Sequence, residues 1–259
     1  VTARDGAPSP FADCFSGLAS TYAEARPDYP AALFDYVAGL VDRRDLAWDC
    51  GTGSGQAAVA LATRFGRVIA TDASAAQIAH ARPAPGVEYR VAPADASGIA
   101  PSTVDVVTVA QALHWFDLDR FYAEVRRVLR PDGALAAWSY GDPTIVDDPA
   151  LDACLHRFNT GTLGPYWPTN RRAVGEGYRR LPFPFAERPA PAMVIERHWS
   201  LHELAQYLRS WSARARYLSI HGTDPVTPFE LELARSWHDP AERHLVRWPL
   251  TIRAGHLNG

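Results

Sequence analysis

The run Asp49-Cys50-Gly51-Thr52-Gly53-Ser54-Gly55 sets one carboxylate and three alternate glycines where a short apolar stretch gives way to a helical pattern. At such a strand-to-helix turn, glycine lets a ligand approach the backbone closely. Three alternate glycines exceed what a turn alone needs, so the run predicts a cofactor loop. Gly53, Gly55 and Ala58 also satisfy the dinucleotide fingerprint G-x-G-x-x-G/A, and Asp72 follows Gly53 by 19 residues, where a ribose-binding acid belongs. Asp49 separates the possible ligands. Its charge at the strand tip repels a pyrophosphate but attracts an ammonium group, which favours a ligand with a ribose and a cationic amino-acid end, as in S-adenosylmethionine.

The elements that would position these residues read as successive βα units. Strands are expected at Leu46–Cys50, Arg67–Thr71, Val87–Val91, Asp105–Val109 and Ala134–Trp138, which implies five parallel strands. Gln56–Phe65 and Leu118–Leu129 carry apolar residues at helical spacing, Ser74 caps a helix running to about Ala81, and Arg130-Pro131-Asp132-Gly133 reads as helix stop and turn. Upstream, Phe11–Ala23 and Ala31–Leu40 look helical around a rigid Arg26-Pro27-Asp28-Tyr29-Pro30 bend. Downstream, Pro, Gly and aromatic residues surround short helical segments between Gly141 and Ala190. Ala192–Ser200 and Leu245–Ala254 then read as strands, separated by a helical region at Leu201–Ser219. The expected organisation is a leader over 1–10, a cofactor-binding Rossmann-like core over 11–140, a mostly helical lid over 141–244 that includes a strand at 192–200, and a last strand and C-terminus over 245–259. The fold class is α/β, with five parallel strands plus a late antiparallel hairpin and a helical lid insertion.

These residues resemble the class I S-adenosylmethionine-dependent methyltransferases, in the small-molecule branch called methyltransferase type 11, with a likeness to trans-aconitate methyltransferase-like proteins. The resemblance rests on Asp49–Gly55, Val68-Ile-Ala-Thr-Asp72, Ala94-Asp-Ala96, Val104-Asp-Val-Val107, Gln111-Ala-Leu-His-Trp-Phe116 and Leu129-Arg-Pro-Asp-Gly133. It covers Phe15–Tyr140 well and Gly164–Trp167 and Arg209–Ser212 thinly. It implies that Asp72, with Ala73 beside it, takes the ribose hydroxyls, that Asp95 accepts from the adenine amino group, and that the Ala96 N–H donates to a ring nitrogen. A capping role competes for Asp95. Asp105, which precedes an apolar run, is expected to be structural. Tyr22 and Arg26 resemble the helix that closes over the cofactor, with Arg26 pairing the methionine carboxylate.

Methyl transfer is an in-line displacement, so the protein must align donor and acceptor and exclude water, with no metal required. Gln111, His114, Trp115 and Phe116 at the end of the fourth strand would face the reactive end. His114 is the candidate base, or a pocket wall, and Trp115 a pocket wall or cation-π partner; Phe116 reads better as packing. In the lid, Trp167, Tyr178, Trp211, Arg214, Arg216 and Tyr217 suggest a small acceptor, with a carboxylate slightly favoured.

Composition narrows the classes further. Across 259 residues, 26 basic side chains stand against 29 acidic ones, for a net charge of -3, so a nucleic-acid partner is not expected. All 26 basic residues are Arg, so a Schiff base, a Walker lysine and the Tyr-x-x-x-Lys pair of many oxidoreductases are excluded. Cys14, Cys50 and Cys154 form no metal or disulfide pattern, which points to a reducing, cytoplasmic setting. No membrane span, secretory signal or obligatory protein partner is expected. An NAD(P)-dependent oxidoreductase and a non-catalytic cofactor-binding protein remain the alternative readings.

Overall fold

The computed structural model describes residues 26–239 and 241–257. The expected leader, the Phe11–Ala23 helix, Cys14 and Tyr22 lie outside the described residues. After α1 (Ala31–Ala38) come β1 (Leu46–Cys50), α2 (Gln56–Leu61), β2 (Arg67–Asp72), α3 (Ala75–Ala79), β3 (Val87–Val91), β4 (Val104–Ala110), α4 (Leu118–Val128) and β5 (Leu129–Tyr140). The second half adds β6 (Thr144–Ile145), α5 (Pro149–Arg157), α6 (Arg171–Gly175), β7 (Ala186–Arg188), β8 (Met193–Trp199), α7 (Leu201–Arg209), α8 (Ser212–His221), α9 (Val226–Ala234) and β9 (His244–His256).

The sheet runs β3-β2-β1-β4-β5-β9-β6, with β7 and β8 also paired to β9. Strands β1 to β5 are parallel, and β9 returns antiparallel to β5 from Ala134↔His256 to Tyr140↔Leu250. This is the expected Rossmann-like sheet. Its central strands are apolar on both faces, as parallel strands covered by helices must be. Ala47, Val68, Val106 and Ala136 pack toward one side, and Trp48, Ile69, Val107 and Leu135 toward the other. Successive residues point to opposite faces of a strand, so each strand feeds both cores.

Three expectations need revision. The strand expected at Ala134–Trp138 starts at Leu129, because Val104 pairs with Leu129 and Val106 with Ala134, leaving Arg130–Gly133 as an irregularity inside the strand rather than a turn before it. The helical region at Leu201–Ser219 is two helices, broken at Ser210, whose hydroxyl bonds the Tyr207 carbonyl at 2.6 Å. Strands β6 and β7 and helix α9 were not expected at all; the two strands have only two and three residues, too few to show alternation.

Asp105 has the structural role its position suggested. One carboxylate oxygen accepts from the backbone N–H groups of Asp45 and Leu46 at 2.7 and 2.8 Å, which fixes the entry to β1. The other lies 2.9 Å from the Arg130 guanidinium. Among the described residues no helix is long and apolar enough to cross a membrane. Because Asp105→Ala takes the acceptor from the Asp45 and Leu46 N–H groups and leaves the part-buried Arg130 uncompensated, it should cost about 3 kcal/mol of stability, read as a fall in the urea midpoint at unchanged slope.

Candidate functional site

At the carboxyl ends of β1, β2 and β4 the strands open into a cleft of three adjoining chambers. The first, about 690 Å³, lies over the glycine loop and is walled by Arg26, Gly53, Asp72, Gln77, Gln111 and Tyr140. The second, about 580 Å³, lies under the lid and is walled by Arg26, His114, Trp167, Arg171, Tyr207 and Trp211. The third runs from Asp72 past Ala73, Pro93 and Asp95 to Phe116 and Arg120. Trp115 borders all three chambers.

The loop folds around two buried carboxylates. Asp72 accepts from the N–H of Gly53 at 2.9 Å on one oxygen and from the N–H of Ser74 at 2.9 Å on the other. Each oxygen has a second lone pair. Burial raises the Asp72 carboxyl above its ordinary range against the pull of these two bonds. Asp49 sits beneath the loop, fully buried, and accepts from the Thr52 hydroxyl at 2.6 Å and the Thr108 hydroxyl at 2.8 Å. It does not border the first chamber, so its expected pull on an ammonium acts through the loop and Thr52 rather than by direct contact.

The glycines are explained differently from the expectation. Gly51 has φ +69° and a Cβ there would stand 2.7 Å from the Ala112 Cβ; Gly55 has φ +82° and backs onto the Tyr89 phenol. Packing against the protein itself therefore demands both. Gly51 and Gly53 both border the chamber, but of the three only Gly53 leaves room for a Cβ, with nothing closer than the Gln77 Oε1 at 3.9 Å.

Arg26 borders the first two chambers and donates to the Tyr140 hydroxyl at 2.7 Å. Gln111 takes a left-handed conformation (φ +57°), its side chain donating to the Tyr140 carbonyl at 3.2 Å, and stands in the wall between the same two chambers. Asp95 borders the third chamber but is ion-paired with Arg120 at 2.6 Å. The Ala96 expectation fails: its N–H donates to the Pro93 carbonyl at 3.2 Å, closing a turn, and is not offered to a ligand.

The second chamber holds His114, Trp115 and Trp167 as expected. His114 Nδ1 lies 3.0 Å from the Tyr178 hydroxyl, and burial, helped by the nearby Arg171 charge, lowers its pKa to about 3. Phe116 packs on Phe121 with ring centroids 4.9 Å apart, as its packing role required, while also edging the third chamber. Three expected residues are elsewhere. Arg214 is bonded to Asp224 at 2.9 Å, Arg216 is exposed, and Tyr217 packs edge-on against Tyr166 beside a different cavity. Besides Arg26, the guanidinium the chamber does hold is Arg171, stacked 3.8 Å from the Trp167 ring and ion-paired with Asp142. Trp211, which the lid reading named, also borders the chamber, whereas Tyr140, Tyr207 and Gln77 were missed. A Trp beside an Arg four residues on, Trp167 and Arg171, was the available signal.

Residues 48–137 match the family of methyltransferase domains. Putative methyltransferase of Dictyostelium discoideum is 32% identical over 232 residues, which cover 89% of this chain and 88% of that protein. The chain belongs to the class I S-adenosylmethionine-dependent methyltransferases. The solved structure of a putative type II methyltransferase from Anaeromyxobacter dehalogenans is 45% identical to this methyltransferase, with a TM-score of 0.83 over 90% of this chain and 98% of that one. The Saccharomyces cerevisiae protein named Probable S-adenosylmethionine-dependent methyltransferase CRG1 is 31% identical across 62% of this chain and 60% of its own length.

Burial pushes the Asp49 carboxyl up to about 6, opposed by its two threonine bonds. The folded methyltransferase thus holds this proton more tightly than the unfolded chain, and Asp49 costs stability once pH rises through the window from about 4 to 6. The stability difference between wild type and Asp49→Asn, measured by urea unfolding across pH 4 to 7, should shift against wild type by about 3 kcal/mol. A pH-independent difference would show that Asp49 is ionised without penalty.

Proposed function

We propose that this methyltransferase transfers a methyl group from S-adenosylmethionine to a small carboxylate-bearing acceptor held in the second chamber. The observation that supports this most is the make-up of that chamber's wall: two guanidinium groups, Arg26 and Arg171, a neutral imidazole, and no acidic side chain among the described lining residues. The likeness to trans-aconitate methyltransferase-like proteins fits the same class of acceptor.

Bound S-adenosylmethionine supplies a methyl group on a sulfonium, activated toward any aligned nucleophile. Asp72 accepts ribose hydroxyls on the lone pairs that Gly53 and Ser74 leave open. Ala73, Asp95 and Phe116 border the chamber for the base, where the pairing with Arg120 holds Asp95 at the rim. Arg26, steadied by Tyr140, pairs the methionine carboxylate. Trp115, facing all three chambers, keeps water from the junction, and the segment 141–244 supplies the lid over it.

Arg171 takes the acceptor. Its present partner Asp142 is half exposed, so an incoming carboxylate can replace that group without a second burial. A carboxylate is already deprotonated near neutral pH and needs no base. An imidazole whose pKa lies at about 3 is a weak one. His114 therefore shapes the wall and does not take a proton.

The test is methyl transfer from labelled S-adenosylmethionine to a panel of small dicarboxylates and their amides. Arg171→Gln should raise the acid's KM by at least about 10-fold with kcat little changed, as expected when one charged hydrogen-bond partner is lost. His114→Asn should lower turnover while kcat/KM stays flat between pH 6 and 8. Methylation of amines or alcohols alone, with a basic limb that His114→Asn abolishes, would overturn the carboxylate reading and make His114 the base.

A further inference from the structure

Gln77 stands out among the groups bordering the first chamber. Its side chain is 4% exposed, and its Oε1 has no hydrogen-bond partner among the described residues. A buried acceptor left without a donor forfeits its hydration with no return, so native proteins keep few of them. Its placement explains the cost. Gln77 lies in the first turn of α3, where the Ser74 hydroxyl accepts from the Gln77 backbone N–H at 3.3 Å, anchoring the residue by its main chain. The side chain borders the glycine-loop chamber together with Gly53 and Asp72, and its Oε1 is the one heavy atom within 4 Å of a Cβ placed on Gly53. The oxygen thus faces the part of the loop that is open to the chamber.

A carbonyl oxygen can only accept. Its partner must bring an O–H or N–H into the chamber, beside the carboxylate of Asp72. We propose that Gln77 is a cofactor-binding residue that accepts a hydrogen bond from one ribose hydroxyl of the bound nucleoside, dividing recognition of the diol with Asp72. The proposal rests on the reading of this cleft as the S-adenosylmethionine site. A ribose hydroxyl at this position gives the oxygen its donor.

That arrangement has a double signature which a packing residue lacks. Replacing an unpaired buried acceptor by an apolar group of similar shape removes a cost from the unliganded fold, while it takes a hydrogen bond from the complex. Gln77→Met, with Gln77→Leu as a second apolar variant, should leave the Tm of the unliganded protein unchanged or higher. By calorimetry, either variant should bind S-adenosylhomocysteine and 5′-methylthioadenosine about 3- to 10-fold more weakly than wild type. Against the 2′-deoxy and 3′-deoxy forms of 5′-methylthioadenosine, the penalty should vanish for the one that lacks Gln77's partner.

Unchanged affinity in the variants would overturn the proposal. So would a lowered Tm with equal weakening for every ligand, which marks a packing role, or a penalty seen with S-adenosylhomocysteine but not with 5′-methylthioadenosine, which moves the donor to the amino-acid end. Wild-type protein that binds neither ligand would instead remove the cofactor reading itself, and this inference with it.

Discussion

Two carboxylates buried at the tips of neighbouring strands, Asp49 on β1 and Asp72 on β2, constrain everything built around them. A buried carboxylate must be given donors or lose its charge. Here the donors are the hydroxyls of Thr52 and Thr108 for one and the N–H groups of Gly53 and Ser74 for the other. Three of the seven residues from Asp49 to Gly55 take positive φ so that the chain can wrap both groups at once. The strand-to-helix turn is therefore compact, α2 leaves it at a fixed angle, and the remaining lone pairs of Asp72 face the cleft.

How far the chain disclosed this depends on whether the deciding contact is local. The loop, Asp72 and the parallel strands were legible because spacing along the sequence specifies them. The reasons for two of the glycines were not: Gly51 answers to Ala112 and Gly55 to Tyr89, contacts that exist only once the sheet is assembled. Ala96 was misread for a similar reason, since a turn to Pro93 claims its N–H. In the lid the sequence was a poor guide. Apolar residues are scattered around α8 with no dominant face, and of its ten residues only Ala213 is fully buried. The helix could not say which way Arg214 and Arg216 point. Arg171 belongs to an Arg-Arg pair in a short helix, and its direction is set by the Trp167 ring and Asp142, neither of which a periodicity reports.

The electrostatics of the second chamber follow from the same economy of donors. Burying an imidazole disfavours its charged form, and a guanidinium nearby disfavours it further. His114 has both influences and is kept neutral, with Tyr178 at its Nδ1 and Asn170 donating to its backbone carbonyl at 3.2 Å. The chamber thus gathers two guanidinium groups, Arg26 and the Asp142-paired Arg171, around an imidazole that is kept neutral. That arrangement is the reason the proposed acceptor is an anion rather than a nucleophile that must first lose a proton.

Donor and acceptor sides are also supported differently. The residues around Asp72 belong to adjacent parallel strands and the turns that leave them, held by the sheet ladder from Asp49↔Ala70 to Asp72↔Val91. The acceptor side gathers residues far apart in sequence, and each is tied by a few polar contacts: Trp167 to Asn159 at 2.9 Å, Tyr207 to Trp248 at 3.0 Å, and Arg26 to Tyr140. Hydrogen bonds between side chains are worth about 1 kcal/mol each, far less than a cooperative ladder. Substitutions in the lid can then reshape the acceptor chamber while the donor chamber stays fixed. Among the described residues only Arg26, Gln111, Trp115 and Tyr140 border both chambers, so on the proposed reading these four carry the geometric relation between the methyl group and whatever receives it.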